Sequence, residues 1–267
     1  MIPFLRRSLA QARYMLAGVL ILLFGFQLVI IGQAAEVERS NAFASIANLV
    51  PGFVQRGLGS RAMLLATFRG TVAFGYFHPV VCILVAVLAM YLATEPAHEI
   101  ETGLVDLELA RSVPRHRLLT RSLLLAELAV LAAIGMMAAG TWSGARLFGA
   151  QAMALPSGAL RLALLGNLFA VASCLGGFAL MVAAFSRRWS TSFTTVALVA
   201  VIGYMIDFIA IGWRPMRTIA WLSPFHYYPA LNVLAGDAPT GRNVFILLAT
   251  GALFAAIAYW QFQRRDL

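Results

Sequence analysis

Lysine is absent from all 267 residues, so every one of the twenty basic residues is an arginine. A P-loop needs the lysine of G-x-x-x-x-G-K-[ST] to reach its phosphates, so this chain cannot hold a standard ATP site. Schiff-base catalysis needs a lysine amine and is excluded with it. Charge of either sign is scarce, at 12%, where a soluble domain carries roughly 25%. Cysteine is nearly absent too. Cys82 and Cys174 lie in separate apolar runs, with no C-x-x-C and no H-E-x-x-H anywhere, which suits thiols buried as small apolar side chains. His78, His116 and His226 are scattered without metal-ligand spacing, so no metal site is expected. The strict apolar-polar alternation of a transmembrane barrel strand is also missing.

What is present is apolar bulk. The chain is 61% hydrophobic with a mean hydropathy of +0.83, and apolar runs recur at about the 20-residue length that a helix needs to cross a bilayer. These features predict an all-α polytopic membrane protein of one transmembrane domain with six spans, at 15–32, 72–93, 123–142, 162–185, 193–212 and 244–262. Residues 1–14, with Arg6, Arg7 and Arg13 among apolar side chains, suit either an amphipathic helix on the membrane surface or a plain basic flank. The first apolar run is long and no small-residue cleavage site ends it, so it reads as a span rather than a signal peptide. Residues 33–71 read as a loop with interfacial helices. The stretch Ile219 to Leu234 is apolar and aromatic but broken by Pro224 and Pro229, as a re-entrant or interfacial element between spans five and six would be.

Six spans place both termini on one side. With the termini inside, the inner segments hold eleven arginines in 55 residues and the outer segments nine in 89. The positive-inside rule then favours N-in and C-in. The formal net charge of +9 is spread along the margins of apolar runs, which fits membrane topology and no nucleic-acid partner.

One stretch concentrates charge. Between spans two and three, Glu95 to Arg121 carries five of the eleven acids (Glu95, Glu99, Glu101, Asp106, Glu108) and then Arg111, Arg115, Arg117 and Arg121. At 100° per residue Ile100, Leu104 and Leu107 share one apolar stripe, flanked by Glu99 and Asp106 on one side and Glu101 and Glu108 on the other. Acids early and arginines late suit the helix dipole, and Pro114 ends the pattern. The expectation is a short amphipathic helix, about 98–112, at the inner membrane surface. Its acidic rails would be repelled by an anionic leaflet, which favours a protein groove as its seat.

The run E-I-E-T-G-L-V-D-L-E-L-A-R-S-V-P-R-H-R-L-L-T-R resembles the first cytoplasmic loop of ABC type-2 transporter permeases, at Glu99, Glu101, Gly103, Leu107, Pro114 and Arg115 or Arg117. F-G-Y-F-H-P at Phe74 to Pro79, L-S-P-F-H-Y-Y-P at Leu222 to Pro229 and the tail R-R-D-L at Arg264 to Leu267 are similar to further family patterns. Together with the six spans, the likeness covers nearly the whole chain. The segment 33–71 matches weakly, and its role is left open.

The resemblance implies a permease without catalytic residues or a cofactor of its own. ATP and Mg would be bound by two copies of a separate cytoplasmic ATPase subunit. A second permease copy, identical or not, would complete the exporter in the inner membrane of a bacterium. Its coupling helix would meet the ATPase through Glu99, Glu101, Leu104, Leu107, Glu108 and Arg111. Residues 1–14 would support the inner surface, and Ile219 to Leu234 would form an outer re-entrant gate.

Glu127 and Asp207 are the two acids inside predicted spans, where an ionised group costs several kcal/mol. They read as translocation or gating groups, together with His78, His226, Tyr227 and Tyr228. Alternatively, each carboxylate pairs with a local arginine, Arg121 for Glu127 and Arg214 for Asp207, and the tyrosines form an interfacial belt with Trp213 and Trp221. Two other functions stand beside the permease: an intramembrane enzyme using Glu127 and Asp207, and a structural membrane anchor. The Gly140-x-x-x-Gly144 pattern can mark close helix packing, but it falls at a span end and carries little weight here.

Overall fold

Long apolar runs in a bilayer must satisfy their backbone groups internally, and the α-helix does so within one segment. In the computed structural model, which describes residues 2–43, 62–104, 114–237 and 240–264, the described residues form helices and turns without strands. Six helices are long and apolar enough to cross a membrane.

Helix α1 runs unbroken from Ile2 to Arg39, about 57 Å at 1.5 Å per residue. No break sets residues 2–14 apart near residue 14: they continue as one helix into the first apolar run. The physical reason is legible afterwards. Pro3 lies in the first turn, where its missing N–H is harmless, and no breaker follows until Asn41, whose φ of 54° ends the run.

A turn, α2 (Ala62–Leu65), leads into a span made of two helices, α3 (Phe68–Phe77) and α4 (Pro79–Ala93). The break falls at His78, whose φ of −56° and ψ of 135° are the extended values that a following proline imposes. The entry to α3 depends on a glycine, because a Cβ at Gly70 would lie 1.7 Å from the Leu64 carbonyl oxygen.

The short helix α5 (Glu95–Glu101) connects to α6 (His116–Leu147). Next come α7 (Gly158–Phe185) and α8 (Trp189–Gly212). Four short elements follow: α9 (Arg214–Arg217), two 3₁₀ turns at Ala220–Leu222 and Pro224–Tyr227, and α10 (Ala230–Ala235). The last span is α11 (Thr240–Arg264). Alternating direction brings the start of α1 and the end of α11 to the same end of the bundle, called the termini end below. There the hydroxyls of Thr120 and Tyr259 lie 2.8 Å apart and join α6 to α11.

Helix α7 is apolar on all sides and is the most deeply buried span, as an all-round hydrophobic helix should be. Its closest neighbour is α11. A Cβ on Gly177 would come within 2.3 Å of the Gly251 carbonyl oxygen, so the two backbones touch where both side chains are absent. Helix α1 meets α6 in the same way. A Cβ on Gly140 would be 2.6 Å from the Phe24 oxygen and one on Gly144 3.2 Å from Ile31, so the Gly140-x-x-x-Gly144 pattern is a packing seam after all.

Helix α8 lies at the margin of the bundle. It exposes Leu198, Val201, Ile202, Met205 and Phe208, which suits contact with lipid tails. In the half of the bundle away from the termini, buried polar groups tie three spans together. Gln27 donates to the Val72 carbonyl at 3.3 Å, and the hydroxyls of Tyr76 and Thr141 lie 2.5 Å apart.

Candidate functional site

The charged stretch forms a joint at the termini end. Helix α5 starts at Glu95 with Pro96 in its first turn and closes at Thr102. Gly103 follows in the left-handed conformation, φ 71°, the usual stop for a helix. Helix α5 thus starts three residues before the expected helix of about 98–112 and covers its first four residues, and Leu104 is helical again. Leu107, Glu108 and Arg111, and with them Asp106, lie outside the described residues.

Of the acids of α5, Glu95 and Glu99 turn inward while Glu101 stays exposed. Glu99 is 4% exposed and accepts a hydrogen bond from Arg121 Nη2 at 2.5 Å; Arg121, on α6, is itself 1% exposed. Glu95 lies 3.8 Å from the same guanidinium and accepts from the Ser122 hydroxyl at 3.3 Å. On the other side, exposed Glu101 accepts from the backbone N–H of Trp189 at 2.9 Å. It thereby satisfies one of the orphan donors at the start of α8. Ile100 packs against the main core, and Leu104 is half-buried. Glu95, Glu99 and Glu101 therefore fasten α5 to both α6 and α8. The rings of Tyr91, Trp189 and Phe193 complete the joint, with Trp189 and Phe193 stacked at 5.5 Å.

At the far end, the segment between α8 and α11 folds back on the bundle and closes one side of a cavity of about 650 Å³. Phe74, Phe77, Tyr204, Asp207, His226 and Tyr228 are among the residues around it. Asp207 meets His226 across the cavity, with Oδ1 and Nδ1 3.5 Å apart and both side chains partly open. Tyr228 is buried, and its hydroxyl reaches the Tyr76 carbonyl oxygen at 3.5 Å. Arg217 donates to the carbonyls of Ala210 and Ile211, at 3.0 Å each, and so caps the end of α8. The wall is mostly apolar and aromatic with one acid-base pair, the usual composition of a small-molecule site.

The other expected residues divide. Tyr227 packs its ring against that of His226, 5.5 Å away. His78 is a structural cap: its Nδ1 accepts from the Val80 N–H at 3.3 Å, and its ring packs against Phe26 and Phe74. Glu127 is not part of the far-end cavity. It accepts from the Ser173 hydroxyl at 2.6 Å, between α6 and α7. Neither local arginine pairing holds, since Arg121 turns to Glu99 and Glu95 while Asp207 turns to His226. Among the described residues no three His, Cys, Asp or Glu side chains gather around a point that could hold a metal ion.

No family model, curated protein or solved structure matches the chain.

Sequence reasoning missed Arg121 as the partner of Glu99, and Ser173 and Trp189 as partners at all. Arg121 sits 22 residues from Glu99, beyond any helical spacing. The only available signal was that an arginine bordering the apolar run 123–142 needs a carboxylate from elsewhere once it is buried.

Proposed function

We propose that the chain is the membrane-spanning permease subunit of an ATP-binding-cassette exporter in the inner membrane of a bacterium, with both termini in the cytoplasm. It would work beside a second permease copy, with a separate cytoplasmic ATPase subunit binding ATP and Mg. The observation that carries this reading is the fastening of α5. A short helix bonded through Glu99 to Arg121 of α6 and through Glu101 to the N-terminus of α8 cannot move without moving two spans. A partner that pushed on the adjoining loop would therefore act on the whole bundle. Six apolar helices, the missing lysine and the motif resemblance support the same reading. The far-end cavity, closed by a broken aromatic segment, suits an exit that opens when the spans shift.

The test is co-expression with the ATPase encoded nearest to the gene. The tagged chain should retain that ATPase through purification, and Glu108→Arg should release it and stop ATP-driven export while the permease stays folded. If association and transport both survive Glu108→Arg and Glu101→Arg, the docking assignment is wrong. Turnover of a substrate by the purified chain alone would point instead to the intramembrane enzyme.

A further inference from the structure

A second cavity lies at the termini end, beside the joint. It has a volume of about 240 Å³ and is bordered by Ser8, Gln11 and Ala12 of α1, Tyr91 and Glu95, and Trp189 at the start of α8. Four elements meet there at the level where α4 ends and α8 begins. This is the depth at which tyrosine and tryptophan mark a membrane-water boundary.

Two groups of the lining keep open acceptor capacity, the Ser8 hydroxyl and the Glu95 carboxylate. Ser8 is 3% exposed, and its hydroxyl is buried with no hydrogen-bond partner; a buried polar group in that condition normally has a partner. Glu95 has one bond from Ser122 and a guanidinium 3.8 Å away, which leaves acceptor sites open on a carboxylate that offers about four. Tyr91 and Trp189 lie edge to face, 5.8 Å between ring centres, and contribute aromatic surface that attracts a cation. Among the described residues the wall holds no arginine; its basic side chain is His98, whose ring lies 6.4 Å from that of Trp189, and its acid is Glu95. A compact cation with N–H donors satisfies the hydroxyl, the carboxylate and the rings together.

We propose that this cavity binds a primary ammonium group, as carried by an ethanolamine lipid headgroup or by a free small amine. The assignment does not depend on the transport reading. It concerns what occupies the seam between α1, α5 and α8, and it gives Ser8 its missing partner.

The test uses the full-length chain purified in mild detergent and exposed to equal amounts of phosphatidylethanolamine, phosphatidylcholine and phosphatidylglycerol. Native mass spectrometry counts the lipids retained. Free ethanolamine is titrated in parallel, with Trp189 emission as the signal and Trp189→Phe as its control. Retention of phosphatidylethanolamine about tenfold above phosphatidylcholine, whose quaternary nitrogen has no N–H, is expected for a site of this kind.

Ala12→Leu fills the cavity without removing a polar group and should abolish that preference. Ser8→Ala should weaken it, and serves as the second variant where Ala12→Leu does not fold. A Trp189 response to ethanolamine that is lost in the same variants, without lipid preference, assigns the site to a free amine. Equal retention of the three lipids with no ethanolamine response overturns the proposal. So does a preference that survives in folded Ala12→Leu and Ser8→Ala.

Discussion

At the termini end Arg121 has 2% of its side chain exposed, facing Glu99 at 5%, and the two lie 2.5 Å apart. At the far end Asp207 and His226 keep 32% and 48% of their side chains open and stand 3.5 Å apart. The chemistry is similar, an acid facing a base across two elements, but the surroundings reverse the consequence. Removing one member of a buried pair strands a charge away from water, whereas a partly open pair exchanges its partner for water at little cost. The first arrangement suits a joint that transmits movement. The second suits a contact that parts and re-forms, and it sits on the segment that closes the cavity.

The largest expected effect comes from breaking the joint. Arg121→Ala leaves Glu99 without its guanidinium and should destabilise the protein by about 3–5 kcal/mol, seen as a large fall in thermal midpoint in detergent or as loss of the folded protein. An Arg121→Lys variant should recover only part of this, since an ammonium cannot match the planar fork. Little change in Arg121→Ala would mean that the joint is not a rigid coupling.

The glycine seam that holds α11 on α7 comes next. Gly177→Leu drives its side chain into the Gly251 carbonyl, 2.3 Å from the first added atom, and should cost about 1–3 kcal/mol or more. Gly166→Leu, at a position on α7 with no neighbour within 4 Å, is the control and should change the midpoint far less.

Glu101→Ala removes the acceptor at the start of α8 and should cost about 1 kcal/mol, the usual value of an N-terminal cap. The smallest effect is expected at the far end. Asp207→Asn should alter stability by no more than about 1 kcal/mol, yet it should increase labelling of Leu222→Cys by a membrane-impermeant maleimide as the segment loosens. The native Cys82 and Cys174 are buried and give a low background. A stability loss in Asp207→Asn as large as that in Arg121→Ala would erase the contrast between the two ends.

Much of the fold was legible because its signals are local. Six apolar runs, the proline break at His78 and the broken aromatic segment before α11 follow from length, composition and the conformational limits of proline. The continuity of α1 was harder to read, since arginines among apolar residues suggest a surface helix even where no residue interrupts the hydrogen bonding. The candidate sites were less legible. Glu99 and Glu101 could be singled out by their position in a charged stretch, but the helical wheel turned Glu99 toward a partner protein, and the fold turns it inward. Asp207 and His226 stood out as separate polar residues in greasy surroundings; nothing local made them a pair.

By itself, the sequence determined that the chain crosses a membrane as helices, that it lacks the lysine for an ATP site, and where its charge is concentrated. These are properties of composition and of segments shorter than one span, and no folding is needed to know them. Only the tertiary structure decided which acid each base meets. Arg121 found Glu99 on another helix and Glu127 found Ser173 across a helix interface. Such pairings are set by helix rotation, which the close approaches at Gly177, Gly251, Gly140 and Gly144 fix and which no local periodicity encodes.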